Sequence, residues 1–85
     1  MTIIRTSYKE YNEFKDVIRW SVTQETISTS QIQRKFLKGY NWADKMVESL
    51  ESLKIIGEHE YLIGRKVIVD KNEAETIILN QIKYN

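Results

Sequence analysis

The sequence has no cysteine, no proline, three glycines and one histidine. Without cysteine there is neither a disulfide framework nor a thiolate metal site. His59 alone cannot build a histidine-ligated zinc centre. No apolar run nears the roughly 20 residues that a membrane-spanning helix needs, and Met1 to Arg5 lacks the apolar block of a signal peptide. Gly39, Gly57 and Gly64 cannot be fitted into a Gly-x-x-x-x-Gly-Lys-Ser/Thr phosphate loop, so nucleotide-driven motor chemistry has no place here. What remains is a cytoplasmic protein with no metal, no cofactor and no membrane span as the expectation. The abundance of Ile, Lys, Asn and Glu suits an AT-rich bacterial or phage source.

The 85 residues make one domain, close to the lower end of what folds alone. Such a chain buries about 60–65% of its unfolded surface, enough for a core but not for a deep cofactor pocket. Net charge is +1 and says little by itself; its placement says more. Arg34, Lys35, Lys38 and Lys45 stand against Asp44 alone in residues 34–45. Residues 46–60 reverse the sign, with Glu48, Glu51, Glu58 and Glu60 against Lys54. Arg65, Lys66 and Lys71 then face only Asp70 in residues 61–71. Basic charge is thus concentrated on the helical turn and on a segment about twenty residues later, as in a small nucleic-acid-binding face.

The first of those places lies within Ser28 to Leu53, the stretch that organises the chain. Ser28, Thr29 and Ser30 supply hydroxyls for the free N–H groups of a helix start, and Ile32 and Phe36 give that short helix one apolar stripe. Gly39 offers the positive φ of a sharp turn. From Tyr40 onward, Ala43, Met46, Val47, Leu50 and Leu53 follow the i, i+3, i+4, i+7 helical pattern. This is a helix-turn-helix by pattern, and its second helix is the one that would enter a DNA groove.

The flanks complete the outline. Met1 to Ser7 reads as a frayed start with Ile3 and Ile4 as anchors. A helix over roughly 9–24 carries Tyr11, Phe14, Val17, Ile18 and Ser21/Val22 on one side, with Trp20 turned away from them. Residues 24–27 suit a short strand, 54–57 an extended apolar piece, 58–64 a loop, and 65–70 a second strand. Asn72 is a candidate N-cap for a helix over 72–82 with Ala74, Ile77, Ile78 and Ile82 on one face, ending in a polar tail. Trp20 is the expected contact of that helix. The expected fold is mainly α with a small β-wing: one winged helix-turn-helix domain over 1–85, its core at 9–70, plus a C-terminal helix.

At this level the residues resemble a family. Ser28-Thr29-Ser30-Gln31-Ile32-Gln33-Arg34-Lys35-Phe36, then Gly39-Tyr40-Asn41 and Ala43, are similar to the gamma domain of FtsK/SpoIIIE-type DNA translocases, the C-terminal winged helix of those motors. Ile55-Ile56-Gly57, Glu60 and Arg65-Lys66-Val67-Ile68 continue the likeness, which covers about half of the chain, from roughly Ile27 to Val69. The resemblance implies recognition of short directional duplex motifs, and in some members contact with a site-specific recombinase. By position it implies that Arg34, Lys35, Asn41 and Lys45 face DNA, with Arg65 in the wing. Where the family has arginines after Gly-Tyr-Asn, this chain has Trp42 and Lys45, with acidic Asp44 between them. A planar guanidinium that pairs bidentately with guanine is thereby missing.

Helix geometry agrees with part of this, placing Asn41, Lys45, Glu48 and Ser52 opposite the apolar stripe. Two functions follow. In the first, Arg34, Lys35, Lys38 and Lys66 touch phosphates of double-stranded DNA, Tyr40, Asn41, Trp42 and Lys45 meet its groove, and the Gly64–Lys66 wing, with Arg65, lies on the DNA backbone. The setting would be a phage or mobile-element regulator, dimeric if repressor-like through Trp20 and the C-terminal helix. In the second, Trp42, Asp44 and Glu48 mark a protein-binding module directed at a recombinase or a host nucleic-acid-processing enzyme. Taken as residues alone, Arg34, Lys35 and Lys38 equally describe an ordinary solvated face, and Trp42 a cap on the core. His59 and the Glu48/Glu51 pair lack the partners that catalysis needs, so no enzyme is expected.

Overall fold

A computed structural model of the chain describes residues 2–84. Strand β1 (Ile4–Thr6) leads into helix α1 (Tyr8–Ser21), strand β2 (Thr26–Ile27), helix α2 (Thr29–Phe36) and helix α3 (Tyr40–Ser52). Strand β3 (Arg65–Lys66), helix α4 (Lys71–Gln81) and strand β4 (Ile82–Tyr84) follow. The fold is a winged helix-turn-helix with an added C-terminal helix, mainly helical as its periodicity predicts.

Helix starts are set by local chemistry. Ser7 and Ser28 accept the N–H of Glu10 and Gln31 at 3.2 Å each, so α1 and α2 begin where a side-chain oxygen meets an otherwise unpaired donor. For α4 the cap is Asp70, two residues ahead of the expected Asn72. Asp70 accepts the Glu73 N–H at 2.8 Å while Glu73 reaches back to the Asp70 N–H, a reciprocal capping box; Glu75, which stands three residues after Asn72, is instead paired with Arg19.

The tight turn between α2 and α3 departs from the expected chemistry. Its left-handed residue is Leu37, with φ 55°, at the end of α2. Gly39 is extended, with φ −75° and ψ 171°, and serves as the N-cap of α3. Leu37 tolerates the costly left-handed backbone because its side chain stands 87% exposed and the Lys38 N–H closes the helix onto the Gln33 carbonyl at 3.3 Å.

One core joins all these elements. Phe14, Val17 and Ile18 of α1 meet Ile32 of α2 and Ala43, Met46, Val47 and Leu50 of α3, all buried. Ile55 and Ile56 close it beneath the wing, and Ala74, Ile78 and Ile82 bring in the C-terminal elements. The wing is held on both edges: Val67 N–H donates to Glu25 O at 3.0 Å, while Lys66 O accepts from Gly57 and Ile68 N–H donates to Ile55 O, both at 2.9 Å. Two segments differ from expectation. Residues 4–6 are not frayed, because β1 pairs in parallel with β4, matching Ile4 with Ile82 and Thr6 with Tyr84, while Met1 lies outside the described residues. Tyr8 and Tyr11 stack on Tyr84 at 5.1 and 4.8 Å and cover this clasp. Trp20, expected against the C-terminal helix, has its ring edge-on to Phe36 at 5.6 Å; α2 lies close enough to α1 to receive it.

α4 instead reaches α1 through Ala74 and Ile78 and through a two-pronged ion pair, Arg19 Nε to Glu75 Oε2 at 2.9 Å and Nη2 to Oε1 at 3.0 Å. These hydrogen bonds hold the Glu75 carboxyl below its usual range. A carboxyl depressed in the folded state adds stability above its unfolded pKa and loses it as pH falls through the folded value. Glu75→Gln is therefore expected to be less stable than the parent at neutral pH, by about 0.5 kcal/mol because the pair is solvent-exposed. The two should converge in urea unfolding at acidic pH, below the ordinary carboxylate range.

Candidate nucleic-acid interface

The candidate face is built on α3 and on the turn before it. The core side of α3 is fixed by Ala43, Met46, Val47 and Leu50, which leaves Asn41, Lys45 and Glu48 exposed on the opposite side. Gly39 has no side chain to cap the helix, and the first turn holds no acidic residue. The N-terminus of α3 therefore presents N–H groups and the positive end of the helix dipole, an arrangement suited to a phosphate. Tyr40 stands exposed at that end. Arg34 and Lys35, on the last turn of α2, are exposed and make no ion pair among the described residues.

The other candidate residues are more engaged. Lys38 sits 3.3 Å from Glu13 and 5.5 Å over the Trp42 ring. Trp42 is half-buried with its ring on Phe36 at 6.0 Å, so Trp20, Phe36 and Trp42 form an aromatic row tying α1, α2 and α3 together. That row fixes the relative placement of the two helices of the motif. Trp42 thus stands between the two roles its sequence position suggested, mostly structural with one edge toward solvent.

In the wing, Arg65 turns back onto the body. It is half-buried, donates to Gly57 O at 3.5 Å and pairs with Glu51 of α3 at 2.9 Å. Lys66 lies 3.8 Å from Glu60, a loose exposed pair that costs little to release. The structure brings Arg34, Lys35, Lys38, Tyr40, Asn41 and Lys45 to the turn and outer side of α3, and sets Arg65 and Lys66 apart in the wing. A shallow cleft between them is lined by Ser28, the cap of α2, Ser30 of α2, Asp44 of α3, and His59, Gly64 and Arg65 of the wing.

Two features escaped sequence reasoning. Glu51, which holds Arg65, sits 14 positions away with no spacing rule to link them. The wing tip, Tyr61-Leu62-Ile63, is exposed at 85, 88 and 48% although all three residues are apolar or aromatic. A run of three large apolar residues just before Gly64 is its visible signal. Among the described residues no group of three or more metal-ligating side chains comes together, and no helix is long and apolar enough to cross a membrane.

Residues 9–70 match the Ftsk gamma domain family. The chain is 39% identical over 54 residues to the DNA translocase FtsK of Staphylococcus aureus, covering 64% of this chain and 7% of that protein. It is 33% identical over 57 residues to the DNA translocase FtsK of Listeria monocytogenes, 67% of this chain and 8% of that one. To the DNA translocase FtsK of Corynebacterium glutamicum it is 29% identical over 69 residues, 81% of this chain and 8% of that one. The chain therefore spans less than a tenth of the length of these relatives. The matched residues hold α1, the helix-turn-helix and the wing, so the geometry described above and the family match fall on the same part of the molecule. The chain belongs to the Ftsk gamma domain family.

Proposed function

We propose that this chain acts as a single duplex-DNA-binding unit in the cytoplasm, a regulator or accessory factor of a phage or other mobile element, with α3 in the major groove. The observation that carries this is the uncapped N-terminus of α3, opening beside Arg34 and Lys35, with Asn41 and Lys45 exposed one turn apart behind it. Arg34, Lys35, Lys38 and Lys66 contact phosphates, which set affinity and register. Asn41 and Lys45 reach base edges, Asn toward adenine and Lys toward guanine, with Tyr40 and the free edge of Trp42 beside them. Arg65, held by Glu51, stiffens the wing root. The names of the relatives, DNA translocases, support the choice of duplex DNA as partner.

Selection from a random duplex pool, followed by sequencing of the bound fraction, tests base reading. An enriched motif is expected, and Asn41→Ala and Lys45→Ala should each relax it at one position by about 1–3 kcal/mol while leaving the fold intact. An unenriched pool contradicts sequence reading. A repressor-like dimer belongs to this proposal. Since Trp20 is turned into the fold, Leu79 of α4, 73% exposed, is the apolar residue such pairing would cover.

One observation favours a second reading, a protein-binding module for a recombinase or a host nucleic-acid-processing enzyme. Asp44 and Glu48 lie on or beside the outer side of α3, and the wing arginine is neutralised by Glu51. Like charge facing phosphates is unfavourable. The pool selection separates the two, since a protein module enriches nothing.

A further inference from the structure

The family match covers residues 9–70 and leaves out both strands of the β1–β4 clasp, yet the clasp reaches the candidate face. A cleft runs between β1 and α3, walled by Ile4, Arg5 and Thr6 on one side and by Trp42, Lys45 and Ser49 on the other. At about 3.6 residues per turn, these α3 residues lie on the flank opposite Asp44 and Val47, which line the wing cleft. The outer side of α3 is thus bordered by the wing on one flank and by β1 on the other. Parallel pairing sets Arg5 beside Lys83 on the outward face of the clasp, while Ile4 and Ile82 pack on the core. The two cations repel, and neither makes an ion pair among the described residues. Lys83 Nζ is turned back to the Leu79 carbonyl at 3.3 Å, at the end of α4, which leaves Arg5 as the cation facing solvent. The two acids of the cleft are engaged elsewhere, Glu13 with Lys38 at 3.3 Å and Glu10 with the Ser7 hydroxyl at 3.1 Å.

We propose that Arg5, carried by the clasp, holds a phosphate of duplex DNA on the flank of α3 opposite the wing, so that the DNA face extends beyond the matched family domain. The inference rests on the DNA-binding role proposed above. Charge complementarity and continuity with that face select the occupant. Lys45 lines the same cleft and Lys38 reaches its Glu13 wall, so Arg5 continues a basic border along this flank. A helix seated in a major groove about 12 Å wide has a phosphate backbone on each flank, and a guanidinium can grip one phosphate with two parallel hydrogen bonds. β1 is already ordered by its pairing with β4, so the contact needs no arm to fold on binding.

The test is fluorescence anisotropy of the full chain with a random-sequence duplex over a series of salt concentrations. Added to the four phosphate contacts named above, Arg5 takes the parent's salt slope from about −3.6 to about −4.5. Arg5→Ala should bind about three- to tenfold more weakly at low salt, lose about 0.9 from that slope, and melt no lower than the parent, since it relieves the repulsion from Lys83. Arg5→Lys should keep the slope, because one cation still neutralises one phosphate. Lys83→Ala removes the same charge from the neighbouring strand and should leave the slope unchanged. Equal losses of affinity in Arg5→Ala and Lys83→Ala, with neither slope altered, overturn the contact in favour of a general field. Arg5→Ala that keeps the parent's affinity and slope overturns it and leaves DNA binding standing, as does Arg5→Ala that melts lower while keeping the slope, which makes Arg5 structural. Failure of the parent to bind the duplex at low salt overturns both the contact and the DNA-binding proposal beneath it.

Discussion

Leu50→Ala is expected to lower the unfolding free energy by about 3 kcal/mol, within the 2–5 kcal/mol typical of a buried leucine truncated to alanine. Leu50 is fully buried on α3 and shares one core with Ile32 of α2, Ile18 of α1 and Ile55 beneath the wing. Truncation leaves a cavity in that shared core, and helices packed around it on several sides cannot easily close the gap. In a chain of this size 1 kcal/mol is worth about 4–8 °C, so the midpoint should fall by roughly 12–24 °C. With total stability of about 5–10 kcal/mol, a large share of the fold is at stake. Thermal unfolding followed by far-ultraviolet circular dichroism measures it. A shift of only one or two degrees would mean that α3 is not anchored as described.

The second large effect is electrostatic. Arg34→Ala with Lys35→Ala should weaken duplex binding by about 10- to 100-fold at low salt and lower the salt slope by about 1.8, at roughly 0.9 for each phosphate no longer neutralised. Both side chains are exposed on the last turn of α2 and pair with nothing among the described residues, so their removal should leave stability within about 0.5 kcal/mol. Lys38 behaves differently. It is already drawn to Glu13 and to the Trp42 ring, so binding a phosphate there has to displace existing partners. A double variant that binds like the parent would place the phosphates elsewhere.

How far the sequence foretells this differs from element to element. The stripes of α1 and α3 are legible because Phe14, Val17, Ile18 and Ser21, and Ala43, Met46, Val47 and Leu50, repeat at helical spacing and all prove buried. Ser28 is legible as a cap, and residues 24–27 and 65–70 as strands, though the paired residues are fewer. The clasp of β1 and β4 is not, since two three-residue strands from opposite ends carry no local signal for parallel pairing. Nor is the left-handed Leu37: leucine does not advertise that conformation, and the nearby Gly39 is the residue type that ordinarily adopts it. The Asp70–Glu73 capping box is visible as an acidic pair three apart, but Asn72 stands between them and by residue type is as good a cap. On the candidate face, side-chain type and helix geometry place Asn41 and Lys45 outward, while the inward turn of Arg65 depends on a tertiary partner that no spacing reveals.

The central claim is that this face meets the charged backbone of duplex DNA, and salt dependence tests it most directly. Fluorescence anisotropy of a labelled short duplex, titrated with the parent chain over a series of salt concentrations, gives the slope of log K against log salt. Four phosphate contacts, from Arg34, Lys35, Lys38 and Lys66, predict a slope near −3.6, at roughly 0.9 apiece. A flat line, or no binding at the lowest salt, would contradict the proposal and leave the face to a protein partner.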